Sequence, residues 1–98
     1  MAQITWTNEA ERWLKDIYDY IALDNPAAAS GVIEGIYNKA QALKDHPDIG
    51  YRYEHHSGED IRILLYGHYR ITYLKHTDGD IDILGVFHGA LEIESYLL

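Results

Sequence analysis

The hydrophobic period of this chain changes once, near residue 50, and that single change limits the folds open to it. Before it, apolar residues recur at helical spacing: Ala10, Trp13, Leu14, Ile17 and Ile21, then Ala29, Val32, Ile33, Ile36, Tyr37, Ala40 and Leu43. Residues three and four apart share one face of a helix, so each set predicts an amphipathic helix with one buried stripe. Between the sets stands Asp24-Asn25-Pro26. Proline cannot continue a helix but fits the first turn of the next one. So tight a break predicts an antiparallel helical hairpin. Thr7 is placed to cap the first helix, with Glu9 and Glu11 in the opening turn, where the helix dipole favours acids. The second helix ends at His46-Pro47, with Gly50 just beyond.

After residue 50 the pattern is that of strands. IRILLY (61–66), YRITYLKH (69–76) and IDILGVFH (81–88) are short, β-branched and aromatic, and QITWT (3–7) reads as an opening strand. Gly67-His68 makes a tight link, and Thr77-Asp78-Gly79-Asp80 holds the Asp-Gly pair that type I′ hairpin turns favour. YRYEHHSGED reads as a loop or short edge strand leading to a turn at Ser57-Gly58. The order β-α-α-β-β-β predicts an α+β fold over one domain, 1–98, with the helical hairpin packed on one face of an antiparallel sheet. The tail, ALEIESYLL, is apolar with two glutamates and reads as a short C-terminal helix or arm.

Alternation then assigns faces. Ile61, Ile63 and Leu65, Tyr69, Ile71 and Tyr73, and Ile81, Ile83 and Phe87 are expected against the helices. The opposite face would carry Arg62, Leu64, Arg70, Thr72, Leu74, Leu84, Val86 and His88. Four of these are large and apolar, so that face calls for a cover, supplied by the tail, a second subunit or a partner.

Charge narrows the function. Eight Lys and Arg against sixteen Asp and Glu give a net charge of -8, the wrong sign for gripping nucleic acid through its phosphates. Only 51–76 leans basic, through Arg52, Arg62, Arg70 and Lys75. There are no cysteines, hence no disulfide and no thiolate metal site, as fits a reducing compartment. No apolar run approaches bilayer length, and MAQITWT has no basic or apolar leader region, so neither membrane nor signal peptide is expected. His55-His56 is a metal pair in appearance only, since neighbours on an extended segment point apart and no third ligand is evident. No metal and no cofactor is expected.

IRILLYGHYRITYLKHTDGDIDILGVFHGA carries an Arg before an apolar strand (Arg62), a G-x-Y-R-I-x-Y strand (Gly67 to Tyr73), an acidic glycine turn (Asp78 to Asp80) and an I-L-x-V-x-H-G-A ending (Ile83 to Ala90). It resembles the ParE toxins of the RelE/ParE superfamily. The hairpin is similar too, through Glu9, Ala10, Leu14, Ile17, Tyr20, Ile21, Asn25, Pro26 and Ala28, then Leu43, His46-Pro47 and Gly50. The likeness spans nearly the whole chain in order. It implies the toxin half of a type II toxin–antitoxin pair, a cytoplasmic bacterial protein neutralised by a ParD-like antitoxin. In the ParE branch it implies inhibition of DNA gyrase, and in the RelE branch cleavage of messenger RNA in the ribosome. Two positions depart from the family: Gly85, often Arg, and Leu91-Glu92, commonly Arg-Asp. Both remove positive charge from the end of the sheet.

For a ribonuclease, the catalytic candidates are Arg62 and Arg70 beside the phosphate and His88 as acid or base. The structural alternative makes His88 a strand-ending histidine and pairs the arginines with Asp82 or Glu59. The leading expectation is a gyrase inhibitor acting by protein contact, with no sequence-specific nucleic-acid binding. A member that has lost toxicity and serves as a binding or repressor component is the third option. Its antitoxin would lay an amphipathic helix into an apolar groove, possibly adding a strand to the sheet. The candidate contact residues are Leu64, Leu74, Leu84 and Val86 with the tail residues Leu91, Ile93, Tyr96, Leu97 and Leu98.

Overall fold

The computed structural model describes residues 3–53 and 58–88. Strand β1 (Ile4–Trp6) leads into helix α1 (Asn8–Ala22), helix α2 (Pro26–Gln41) and a 3₁₀ turn (Ala42–Lys44). Strands β2 (Tyr51–Arg52), β3 (Ile61–Tyr66), β4 (Tyr69–Lys75) and β5 (Ile81–His88) complete the order expected from the sequence. Both helix starts are capped by side chains, Thr7 Oγ1 accepting from the Ala10 amide and Asn25 Oδ1 from that of Ala28, with Pro26 opening α2. The caps satisfy amides that helical geometry leaves without partners.

The strands form one sheet in the order β1-β5-β4-β3-β2. From β2 to β5 every pairing is antiparallel, while β1 joins β5 in parallel, Ile4 opposite Ile81 and Trp6 opposite Ile83. A parallel neighbour needs a long crossover, and here the intervening chain, which includes the helical hairpin, supplies it. Thr7 fastens the junction, its amide and its hydroxyl both donating to the Ile83 carbonyl.

The hairpin turn after β4 differs from the type I′ expectation. A I′ turn needs positive φ at both central residues. Here Gly79 has φ 95°, and among the described residues none other than glycine has positive φ. The turn closes instead over three residues, with the Gly79 amide donating to the His76 carbonyl and the His76 amide to that of Asp80.

The helices cover one face. Ala10, Leu14, Ile36, Ala40 and Leu43 pack with Leu64, Ile71, Tyr73, Ile81, Ile83 and Val86. Trp6, Trp13 and Tyr69 are partly buried against the same cluster. Two face assignments are therefore corrected. In β3 it is Leu64 that meets the helices, opposite Ile71, while Ile63 belongs to a second cluster with Phe87 and Leu65 is 54% exposed. In β5 the phase changes part-way: Tyr73 lies opposite Ile83 and Thr72 opposite Gly85, so Leu84 is an extra residue. A bulge of this kind shifts every later side chain to the other face. Val86 thus joins Ile81 and Ile83 under the helices, and Phe87 turns outward.

Gly85 has a steric role at the bulge. A Cβ built there would meet Phe87 Cζ at 2.8 Å. Phe87 is 2% exposed and packs edge-on to Trp13, ring centroids 4.7 Å apart. The missing side chain is what lets this ring lie along its own strand.

Candidate functional site

The three catalytic candidates do not converge. Arg62 stands opposite Tyr73 near one end of the sheet, on the helix side. Arg70 stands opposite Leu65 and Phe87, on the outer face. His88 lies opposite Tyr69 at the other end of the sheet, again on the helix side. The expectation of one outer face shared by all three is overturned by the two phase corrections above.

Arg62 is engaged in holding the chain together. Its Nε donates to Asp60 Oδ1 at 3.0 Å, and its Nη1 to the carbonyls of Asp48 and Gly50 at 3.1 and 3.0 Å. Asp48 also lies 3.7 Å from Nη2, and the side chain is 16% exposed. Asp82, one of the two acids expected from sequence, is taken by His76 at 2.8 Å. Lys75 reaches Asp48 at 2.8 Å, and its hydrogen bond holds that carboxyl below the ordinary 3.8. Beside this network the Tyr73 hydroxyl donates to the Pro47 carbonyl at 2.9 Å and accepts from the Gly50 amide at 3.0 Å. Burial pushes the phenol up, and the Gly50 bond opposes that rise. Together these groups pin segment 47–50 to the sheet. Sequence pattern gives no hint of the network, because it joins three separate segments, 47–50, 60–62 and 73–75.

Arg70 is partly exposed and has no ion-pair partner among the described residues. The His88 ring is exposed, stacked at 6.1 Å on His68 and edge-on to Tyr69 at 5.8 Å. It forms part of the rim of an apolar groove of about 440 Å³ between α1 and the ends of β4 and β5. Trp13, Ile17, Ile21, Tyr69 and Val86 line the groove, with Asp16, Tyr20 and His88 as its polar members. Val86 has no exposed surface of its own yet contributes to this lining. The groove-facing stripe of α1 was legible as an apolar stripe, but only the fold shows that Tyr20, 78% exposed, and Asp16 stand beside it.

Of the other contact candidates, Leu64 is 5% exposed inside the helix-covered core. It is thus buried where an uncovered outer position was expected. Leu74 and Leu84 are partly exposed. Leu91, Ile93, Tyr96, Leu97 and Leu98 lie outside the described residues, as do His55-His56, Ser57 and Gly89. Among the described residues no group of three acids or histidines is arranged to hold a metal, and no helix is long and apolar enough to cross a membrane.

The family model for the ParE toxin of the type II toxin–antitoxin system, parDE, matches residues 4–92. The chain belongs to the ParE toxin family. Among solved structures, a chain of the chromosomal ParDE toxin–antitoxin system from P. aeruginosa shares its fold with a TM-score of 0.71. The two are 23% identical, and the match covers 90% of this chain and 96% of that one. Comparison with curated proteins gives no significant match. The matched span, residues 4–92, takes in every described element from β1 through β5.

Proposed function

We propose that this ParE-family chain is a toxin that inhibits DNA gyrase by protein contact and is neutralised by a cognate ParD-like antitoxin. The observation that carries the reading is the division of the catalytic candidates. Metal-independent RNA cleavage needs a base, an acid and cations beside one phosphate. Here Arg62 is saturated by two carboxylates and two carbonyls, Arg70 is on the opposite face, and His88 is at the opposite end. A net charge of -8 further disfavours a grip on RNA.

The antitoxin's contact site in this reading is the groove between α1 and β4–β5. An amphipathic helix laid there buries apolar anchors against Trp13, Ile17 and Val86. Induction of the chain without antitoxin is expected to arrest growth, and co-expression of the antitoxin from the neighbouring reading frame to relieve it. Primer extension on translated transcripts should show them intact. Cleavage that His88→Ala abolishes would establish the ribonuclease instead, and unimpeded growth would establish a non-toxic binding component.

A further inference from the structure

The chain has four arginines, and three of them have a carboxylate in reach. Arg12 meets Glu9 at 2.7 Å, Arg62 meets Asp60 at 3.0 Å, and Arg52 lies 3.6 Å from the same Asp60. Arg70 has no such partner among the described residues. With sixteen acids in the chain, supply does not explain this, and placement does. Arg70 is partly exposed on the outer face of the sheet, between Leu65 on β3 and Phe87 on β5. Leu65 is 54% exposed. Tyr51 stands opposite Ile63, diagonal to Leu65, and is 49% exposed. Diagonal neighbours on one sheet face are within reach of long and aromatic side chains. Strand β2 pairs with β3 only at Arg62 and Ile63, so no strand flanks Leu65 on that side. A cation without a counter-ion therefore stands beside two large apolar side chains open to solvent.

We propose that Tyr51, Leu65 and Arg70 form a docking surface for an acidic protein segment. A Glu or Asp carboxylate of the partner binds the Arg70 guanidinium, and apolar side chains next to it cover Leu65 and Tyr51. Charge complementarity sets the sign of the partner, because Arg70 is a cation that the chain's own acids leave unpaired. Its planar fork of donors matches a carboxylate with two parallel hydrogen bonds. Arg and Tyr are also the residue types that most often anchor protein contacts. Nucleic acid fits less well, since a grip on phosphates draws on several cations. Among the described outer-face positions of β2 to β5, Arg70 is the only Lys or Arg. The surface is on the opposite side of the sheet from the groove at Ile17 and Val86. The proposal holds whether or not gyrase is the target.

The test is an NMR titration of the full chain with the peptide acetyl-Leu-Glu-Leu-Glu-Leu-amide. The expected result is saturable shifts at the Arg70 Nε–H, the Leu65 methyls and the Tyr51 ring. The same peptide with glutamine for glutamate should bind about tenfold more weakly, as should the acidic peptide to Arg70→Gln. The glutamine peptide makes the comparison on the unaltered protein, so it stands even where Arg70→Gln perturbs folding. No shift at millimolar peptide would overturn the proposal, as would equal binding of the two peptides. So would shifts confined to Ile17 and Val86 in the groove. Shifts at Arg70 with hexauridylate but not with the acidic peptide would make the surface a nucleic-acid contact instead.

Discussion

At Gly85 and Thr72 single atoms decide what the sheet tolerates. Gly85→Ala puts a methyl where Phe87 Cζ lies 2.8 Å away, so the ring must leave its packed position against Trp13. Overpacking of this kind is expected to cost about 1–3 kcal/mol in chemical denaturation. Gly85→Arg, which restores the residue common in the family, should cost at least as much. An unchanged midpoint for both would refute the steric account. Thr72→Val replaces a buried hydroxyl that has no partner among the described residues, and is expected to raise stability by about 1 kcal/mol. A loss instead would show that the hydroxyl has a partner in solution. Tyr73→Phe acts in the opposite direction. It leaves the Gly50 amide and the Pro47 carbonyl without their bond, an expected cost of about 1–3 kcal/mol seen in thermal or chemical unfolding.

At the scale of elements, the helices and strand limits were legible because period and caps agree. Thr7, Asn25-Pro26 and the apolar stripe all point to the same hairpin, and all of them hold. The faces of β3 and the end of β5 were not. IRILLY is apolar at 61, 63, 64 and 65, so alternation alone leaves its phase open, and an arginine at 62 reads as a solvent residue. The fold places Arg62 at the rim, where carboxylates and carbonyls satisfy it. In β5 one extra residue at Leu84 reverses the phase, and a bulge has no signature in a run of apolar residues. The same elements carry the pH dependence. Asp48 has a folded pKa below its ordinary 3.8, through its hydrogen bond from Lys75. Its contribution is fully present above the unfolded value and disappears as pH falls through the folded one. His76 is shifted in the opposite sense, raised from 6.5 chiefly by its hydrogen bond to Asp82. That stabilisation is present below 6.5 and lost as pH rises through the folded value. An NMR titration should place the His76 midpoint above 6.5 and lower it in Asp82→Asn. A midpoint unmoved by that substitution would remove the pairing as its cause.

Over the whole molecule, the sheet has two apolar faces of different accessibility. The groove between α1 and β4–β5 is open and lined by Trp13, Ile17, Ile21 and Val86, with Asp16 at its side. The outer face is closed at Ile63, Thr72 and Phe87. The acidic net charge and the division of Arg62 and Arg70 between faces are what the proposed action by protein contact rests on. In the groove, Ile17→Glu introduces a charge against apolar walls and is expected to weaken antitoxin binding at least tenfold, measured by calorimetry, with helix content unchanged. Binding unaffected by that change would move the antitoxin contact elsewhere. The most direct test of the central claim is plasmid supercoiling by purified gyrase with the wild-type chain and His88→Ala side by side. Both are expected to inhibit at micromolar concentration, equally and reversibly by antitoxin. No inhibition by the wild-type chain at that concentration would contradict the account.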